Sequence, residues 1–265
     1  MKLLTILYLF FPLILTSNSF AAEKNVIFFI TDDQSPTLGC YGDPVAKTPA
    51  IDSLAADGTL FTHAFATTAS CSASRSVVMS GLHNHANGQY GHQHAFHKFS
   101  SYYNVISLSL PRTMATAGYR TGHIGKYHVA PEEVFHFETY LRGSGRNAVQ
   151  MAERSREFIT DKSDKPFFLY FATSDPHRGG GKDKNSQRTL KPDLFGNKPD
   201  GKSHEGVDEV FYLPKDVPIP HFLTDTPETR EELAHYYQSV SRIDRGVARL
   251  IEILKKGNLY EKTMI

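Results

Sequence analysis

The stretch Asn25-Val26-Ile27-Phe28-Phe29-Ile30-Thr31, closed abruptly by Asp32-Asp33, decides the fold. A continuous apolar run of strand length is the pattern of a β-strand buried on both faces of a parallel sheet. Thr48 and Pro49 then supply an N-cap with proline at the first helical position, Ile51, Leu54 and Ala55 form an apolar stripe, and Gly58 ends it. Leu60 to Ala66 reads as a further strand, Ser72 to Gly81 as a second short helix, and Leu108 to Ala117 as a third, closed by Gly118. Tyr119 to Gly125 is an extended segment, Arg146 to Thr160 is helical by periodicity, and Pro166 introduces a second continuous apolar strand, Phe167 to Thr173. Arg178 to about Leu223 is rich in Gly, Lys, Asp and Pro and reads as a long surface excursion. Thr226-Pro227 opens the longest helix, with Leu233, Tyr237, Val240, Ile243, Val247, Leu250 and Leu254 three or four apart, and Gly257 stops it. Strands alternating with helices predict an α/β protein with helices on the faces of a sheet.

The chain has 265 residues, enough to bury a sizeable core without a disulfide or metal staple. Its 29 basic and 28 acidic side chains exclude a strongly basic nucleic-acid binder, although a local positive patch is still able to receive an anion. Thirteen histidines against two cysteines point to a proton-handling or metal-handling pocket. Lys2, the mostly apolar run Leu3 to Leu15 and the small residues Ser19 and Ala21 predict a signal peptide over residues 1–21, hence a secreted or periplasmic protein without a stable membrane anchor. Export permits a Cys40–Cys71 disulfide, which stands as an alternative use of both cysteines. Thr263-Met264-Ile265 reads as the opening of another buried strand, so residues 22–265 are expected to be the front part of a longer domain.

Asp32 and Asp33 stand at the carboxyl end of the first strand, where open α/β sheets place ligands. Adjacent carboxylates repel unless a cation neutralises them, and oxygen ligands suit Ca²⁺ or Mg²⁺; a turn or capping role is the alternative. Cys71-Ser72-Ala73-Ser74-Arg75 places a cysteine at a helix start and an arginine one turn later on the same face, an arrangement suited to an anion. Cys-x-Ala-x-Arg followed by Gly81-Leu82 resembles the activation motif of the type I, formylglycine-dependent sulfatases. Gly125-Lys126-Tyr127-His128 and Ser174-Asp175-Pro176-His177 resemble that family's second and third motifs, in order and at strand ends. The resemblance runs over nearly all of residues 25–265 and is nearer to the heparan N-sulfatase (sulfamidase) branch than to the aryl or choline sulfatases.

The resemblance implies an alkaline-phosphatase-like three-layer sandwich with a mostly parallel central sheet. It implies that Cys71 is oxidised to formylglycine by a maturation enzyme, and that the hydrated aldehyde attacks sulfur, forms a sulfated hemiacetal and expels sulfate when its second hydroxyl loses a proton. Most members carry proline where this chain has Ala73, which leaves the kind of maturation enzyme open. Asp32, Asp33 and residue 71 would then hold Ca²⁺ or Mg²⁺, Arg75 would complete the anion pocket, Lys126 would bind a sulfate oxygen, His128 would hold or deprotonate the second hydroxyl, and His177 would contact the bridging atom. Lys126 and His128, at i and i+2 of an extended segment, are expected on one side.

His83, His85, His92, His94 and His97 form a cluster with no carboxylate or cysteine at metal spacing. They read as a wall of the substrate pocket, led by His83 and His85, with structural histidines or zinc as alternatives. Asp244 reads as a helix residue paired with Arg242 or Arg245, and the basic residues between Arg178 and Lys202 as a solvated loop able to steer a polyanion. The expected function is hydrolysis of a sulfate ester or sulfamate on a saccharide, N-sulfoglucosamine of heparan-type glycans above all. A phosphate or phosphonate monoester hydrolase of the same fold and a non-catalytic sulfated-glycan binder are the alternatives, and a homodimer is left open. A further Asp-Asn pair and a later basic residue that the family uses lie outside the sequence, so these 265 residues alone are expected to bind metal weakly and turn over poorly.

Overall fold

A computed structural model describes residues 24–94, 98–179, 196–198 and 202–265; the expected signal peptide (1–21), His97 and much of the basic loop lie outside the described residues. Five strands, β1 (Asn25–Asp32), β2 (Arg120–Gly125), β3 (Thr139–Leu141), β4 (Phe167–Pro176) and β5 (Thr263–Met264), form a sheet in the order β3-β2-β4-β1-β5. Every pairing is parallel. The helices are α1 (Pro49–Asp57), α2 (Cys71–Ser80), α3 (Asn84–Asn87), α4 (Leu110–Thr116), α5 (Ala148–Thr160) and α6 (Pro227–Lys256).

Period-two alternation along the strands sorts the core into two layers. Ile27, Ile124, Leu169 and Phe171 face α5 and α6, where they meet Met151, Ile159, Leu250 and Ile253. Phe168, Tyr170 and Ala172 face the opposite side and pack on Met79 of α2, Val105, Phe135 and Phe137, with Leu110 and Met114 of α4 at the margin. The result is the expected three-layer sandwich, with β4 buried along nearly its whole length. At the α5–α6 contact, a Cβ on Gly246 would stand 2.3 Å from that of Ala148, so glycine is what lets the two helices approach.

Several expectations are corrected. Leu60 to Ala66 is not a strand: the segment lies outside the sheet as irregular chain, with Phe61 68% and Phe65 87% exposed, because apolar content alone supplies no hydrogen-bonding neighbour. β1 is only half-buried at most positions, since β5 pairs with Asn25 and Val26 alone. Thr263 and Met264 do form a strand, β5, parallel to β1, as the reading of Thr263-Met264-Ile265 expects. Cys40 and Cys71 are both free thiols, which removes the disulfide alternative. Asp244 lies on α6 as expected but makes no ion pair with Arg242 or Arg245 among the described residues: it is fully buried and its Oδ1 accepts a hydrogen bond from the Ile51 backbone N–H at 2.8 Å. It thus caps the start of α1, whose own N-cap Thr48 makes no side-chain cap. Arg242 turns instead to Asp175 and Glu209.

Candidate active site

Parallel pairing brings three strand ends together. Asp32 pairs with Pro176 and Gly125 with Ala172, so the residues leaving β1, β2 and β4 converge at the carboxyl edge of the sheet. Gly125, with φ of +91°, makes the sharp exit from β2; a Cβ there would meet the Ala172 carbonyl oxygen at 2.0 Å. Helix α2 approaches the same edge with Cys71 as its first residue. His128 has φ of +52°, so Lys126 and His128 reach the site through a turn and not by the alternation of an extended segment as expected.

Arg75 is the centre of the polar cluster. Its side chain is buried and donates to Asp32 Oδ1 at 3.1 Å, the Tyr170 hydroxyl at 3.2 Å and the Lys126 carbonyl at 3.3 Å. Lys126 Nζ pairs with the other Asp32 oxygen, and His177 Nδ1 pairs with Asp33. Burial pushes the Asp32 carboxyl up, but the Lys126 hydrogen bond and the charges of Arg75 and Lys126 outweigh it and hold the group below its ordinary value. Cys71 Sγ stands 3.8 Å from Asp33 Oδ1, and burial together with the Asp32 charge raises its pKa, so the residue is a protonated thiol at neutral pH. His128 is pushed down to about 4, by burial first and then by Lys126, and His92 is lowered by burial and by His94. Both rings are therefore neutral.

The structure brings together Asp32, Asp33, Cys71, Arg75, Lys126, His128 and His177 of the expected set. His92 and His94, not His83 and His85, join them. The rings of His92 and His94 pack on His128 at centroid distances of 5.7 and 4.9 Å, whereas His83 and His85 are exposed and stack on each other at 5.8 Å. The absence of a cysteine near the histidines in sequence misled: a nitrogen of His92, one of His128 and Cys71 Sγ lie within 4.8 Å of one another.

Sequence reasoning also missed the frame around His177. Arg146 Nη1 donates to both Asp175 Oδ1 and the His177 carbonyl at 2.8 Å, and Asn197 Nδ2 donates to the same carbonyl at 3.0 Å. Arg242, wholly buried, holds the other Asp175 oxygen at 2.9 Å. The adjacency of Asp175 to His177 was the available signal. Tyr170, a buried hydroxyl in an apolar strand, was the signal for the partner of Arg75.

Asp32 and Asp33 fit a hard divalent ion by chemistry: two carboxylates and residue 71 offer ligand atoms within 4.8 Å of one another, and here Arg75 and Lys126 neutralise Asp32 while His177 hydrogen-bonds Asp33. A family model described as Sulfatase matches residues 24–265. The chain belongs to the sulfatase family. It is 36% identical over 92% of its length to human N-sulphoglucosamine sulphohydrolase, of which it spans 50%. Among solved structures, one in complex with its substrate D-glucosamine-2-N,6-O-disulfate superposes with a TM-score of 0.62 at 18% identity, covering 91% of this chain and 64% of the other. The phosphonate monoester hydrolase of Agrobacterium radiobacter superposes with a TM-score of 0.62 at 16% identity, covering 91% of this chain and 61% of its own. The fold of this sulfatase is thus the α/β, alkaline-phosphatase-like one, and the chain spans about half the length of the curated relative it matches.

Proposed function

We propose that this sulfatase hydrolyses a sulfate ester or sulfamate on a saccharide, with N-sulfoglucosamine of heparan-type glycans as the preferred substrate and a formylglycine derived from Cys71 as nucleophile. The observation that carries this reading is the charge arrangement around Cys71. A catalytic thiolate needs a depressed pKa, and here Asp32 and burial do the opposite. Cys71 is therefore a poor nucleophile as it stands and a suitable precursor: conversion replaces its SH and one Cβ hydrogen with a carbonyl oxygen, the oxidant being supplied by the maturation enzyme. Oxygen at that place also suits the hard ligands Asp32 and Asp33 better than sulfur does.

The surrounding residues divide the work. Lys126 Nζ and the Arg75 guanidinium put positive charge where a sulfate oxygen and the Asp32 carboxylate meet. His128, neutral down to about 4, is able to accept a proton from a hydroxyl on residue 71. His177, held by its carbonyl to Arg146 and Asn197 and at Nδ1 by Asp33, offers its ring to the bridging oxygen or nitrogen of the leaving group. His92 and His94 wall the pocket beside His128. When bound at Asp32 and Asp33, Ca²⁺ would supply Lewis-acid polarisation and neutralise the two carboxylates.

The human relative's name and the disulfated glucosamine in the solved complex support the saccharide and the N-sulfate. The phosphonate hydrolase likeness favours testing a second tetrahedral anion. No helix among the described residues is long and apolar enough to cross a membrane, and export to the periplasm or exterior rests on residues 1–21. Coexpression with a maturation enzyme followed by intact mass of the Cys71 peptide tests the first step: formylglycine lowers the mass by about 18 Da. The matured full-length protein is then assayed on N-sulfated glucosamine, O-sulfated glucosamine and a phosphonate monoester. Release from the O-sulfated sugar alone overturns the N-sulfate assignment, phosphonate turnover alone overturns the sulfatase reading, and a thiol that is never converted leaves a glycan binder.

A further inference from the structure

Cys71 belongs to two sets of ligand atoms at once. On one side are the carboxylates of Asp32 and Asp33; on the other are His92 and His128, and in each set the ligand atoms lie within 4.8 Å of one another. Tetrahedral zinc, with bonds of about 2.0–2.3 Å, spaces its ligand atoms roughly 3.3–3.8 Å apart, so the second set closes by small side-chain rotations. A second observation singles out the imidazoles. His92 Nδ1 and His128 Nδ1 are both sealed from solvent with no hydrogen-bond partner among the described residues. Ser70 Oγ lies 3.2 Å from His92 Nε2; when it accepts the Nε2 proton, it leaves the Nδ1 lone pair of that ring unused, as the outer partner of a ligating histidine does.

We propose that the unconverted, thiol form of the protein binds Zn²⁺ or another soft divalent ion through Cys71, His92 and His128. Asp33, whose Oδ1 is 3.8 Å from Sγ, or a water completes the tetrahedron. Binding turns the thiol into a metal thiolate and releases its proton to solvent; no other bond changes. Sulfur and two imidazoles select a soft or borderline ion, whereas two carboxylates select a hard one. The chemical state of residue 71 therefore decides which metal the site takes. The precursor is a soft-metal site, and replacing sulfur with oxygen dissolves it in favour of the oxygen set. The soft-metal site of the thiol form stands without the proposed function, whereas the change of metal on maturation rests on the proposed conversion of Cys71.

The experiment uses the full chain produced without a maturation enzyme, with Co²⁺ as the spectroscopic probe and Zn²⁺ as competitor. One equivalent of Co²⁺ is expected to give a thiolate-to-metal charge-transfer band that Zn²⁺ abolishes, and Zn²⁺ is expected to protect Cys71 from alkylation. Cys71→Ser removes the band, and His92→Ala and His128→Ala each weaken binding by more than the roughly 10–100-fold that follows loss of an outer-shell partner. Matured protein is expected to give no such band. Folded thiol protein, checked by circular dichroism, that takes up no Co²⁺ overturns the proposal, as does a band that survives in the His92→Ala/His128→Ala double variant. Because no step is read through sulfate release, this result and the assay of the proposed activity fail or succeed separately.

Discussion

Two aspartates at strand ends, Asp32 and Asp175, each sit between two cations, and they are used in opposite ways. Asp175 is locked: Arg242 and Arg146 reach it from α6 and from the loop before α5, and the Arg242 side chain is 0% and the Asp175 side chain 2% exposed. All of its partners are protein. Asp32 is buried too, but its neighbour Asp33 is 53% exposed and the His177 that pairs with Asp33 is 42% exposed. One cluster fastens the strand end; the other, on the proposed function, would present charge to an incoming anion. The difference is one of position: the Asp175 cluster faces the α6 layer, and the Asp32 cluster opens at the end of the sheet.

Substitutions that separate these roles give ordered expectations. Cys71→Ala is expected to lower kcat by about a thousandfold or more while leaving thermal unfolding unchanged, since it removes the nucleophile's precursor and no structural partner. Lys126→Ala is expected to lower kcat/KM by about 10²–10³-fold, again with little loss of stability; a variant that unfolds instead would place the Asp32 cluster with the structural one. Arg242→Met leaves Asp175 and Glu209 buried without their common partner and is expected to cost about 3–5 kcal/mol in denaturant unfolding. Arg146→Gln, which loosens His177 without touching substrate, is expected to lower kcat more than it raises KM and to be rescued in part by Arg146→Lys.

The smallest effect concerns Asp244, whose carboxyl is pushed up to about 6, chiefly by burial. Between the ordinary carboxylate value near 4 and 6, the folded chain keeps a proton that the unfolded chain has released. Stability then falls as pH rises through this window, by roughly 3 kcal/mol at most. Asp244→Asn keeps an acceptor for the Ile51 N–H and is expected to flatten that slope in unfolding measured from pH about 4 to 7.

Much of this was legible in the chain. Phe167 to Thr173 announced its strand because burial on both faces leaves no polar break, Asn25 to Thr31 shows the same unbroken run although it is mostly half-buried, and Thr48-Pro49 and Thr226-Pro227 announced helix starts through backbone chemistry that operates locally. The motif residues from Asp32 to His177 were legible as chemistry. What was not legible depends on distance in space. Leu60 to Ala66 has strand-like residues without a neighbouring strand among the described residues. His83 and His85 stand at and on α3, whereas His92 and His94 follow the turn that ends it at Gly88, whose φ is +90°, and this separation in space is not visible in their spacing. Asp244 was read against residues near it on its own helix, whereas its partner is the Ile51 amide, separated from it by 193 positions.

The sheet order carries a kinetic consequence. β1 leaves the ribosome early, yet its long neighbour β4 arrives later: Asn25 and Phe167, joined by a hydrogen bond at the start of the pair, are 142 positions apart. At ordinary synthesis speeds that gap lasts on the order of ten seconds. Closing so long a loop costs chain entropy before any contact returns it, so the central pair is expected to form late and folding to be slow. On the proposed reading of residues 1–21 as an export signal, the delay would be useful: the segment that threads a translocation channel first has no β4 to pair with until Phe167 has been made.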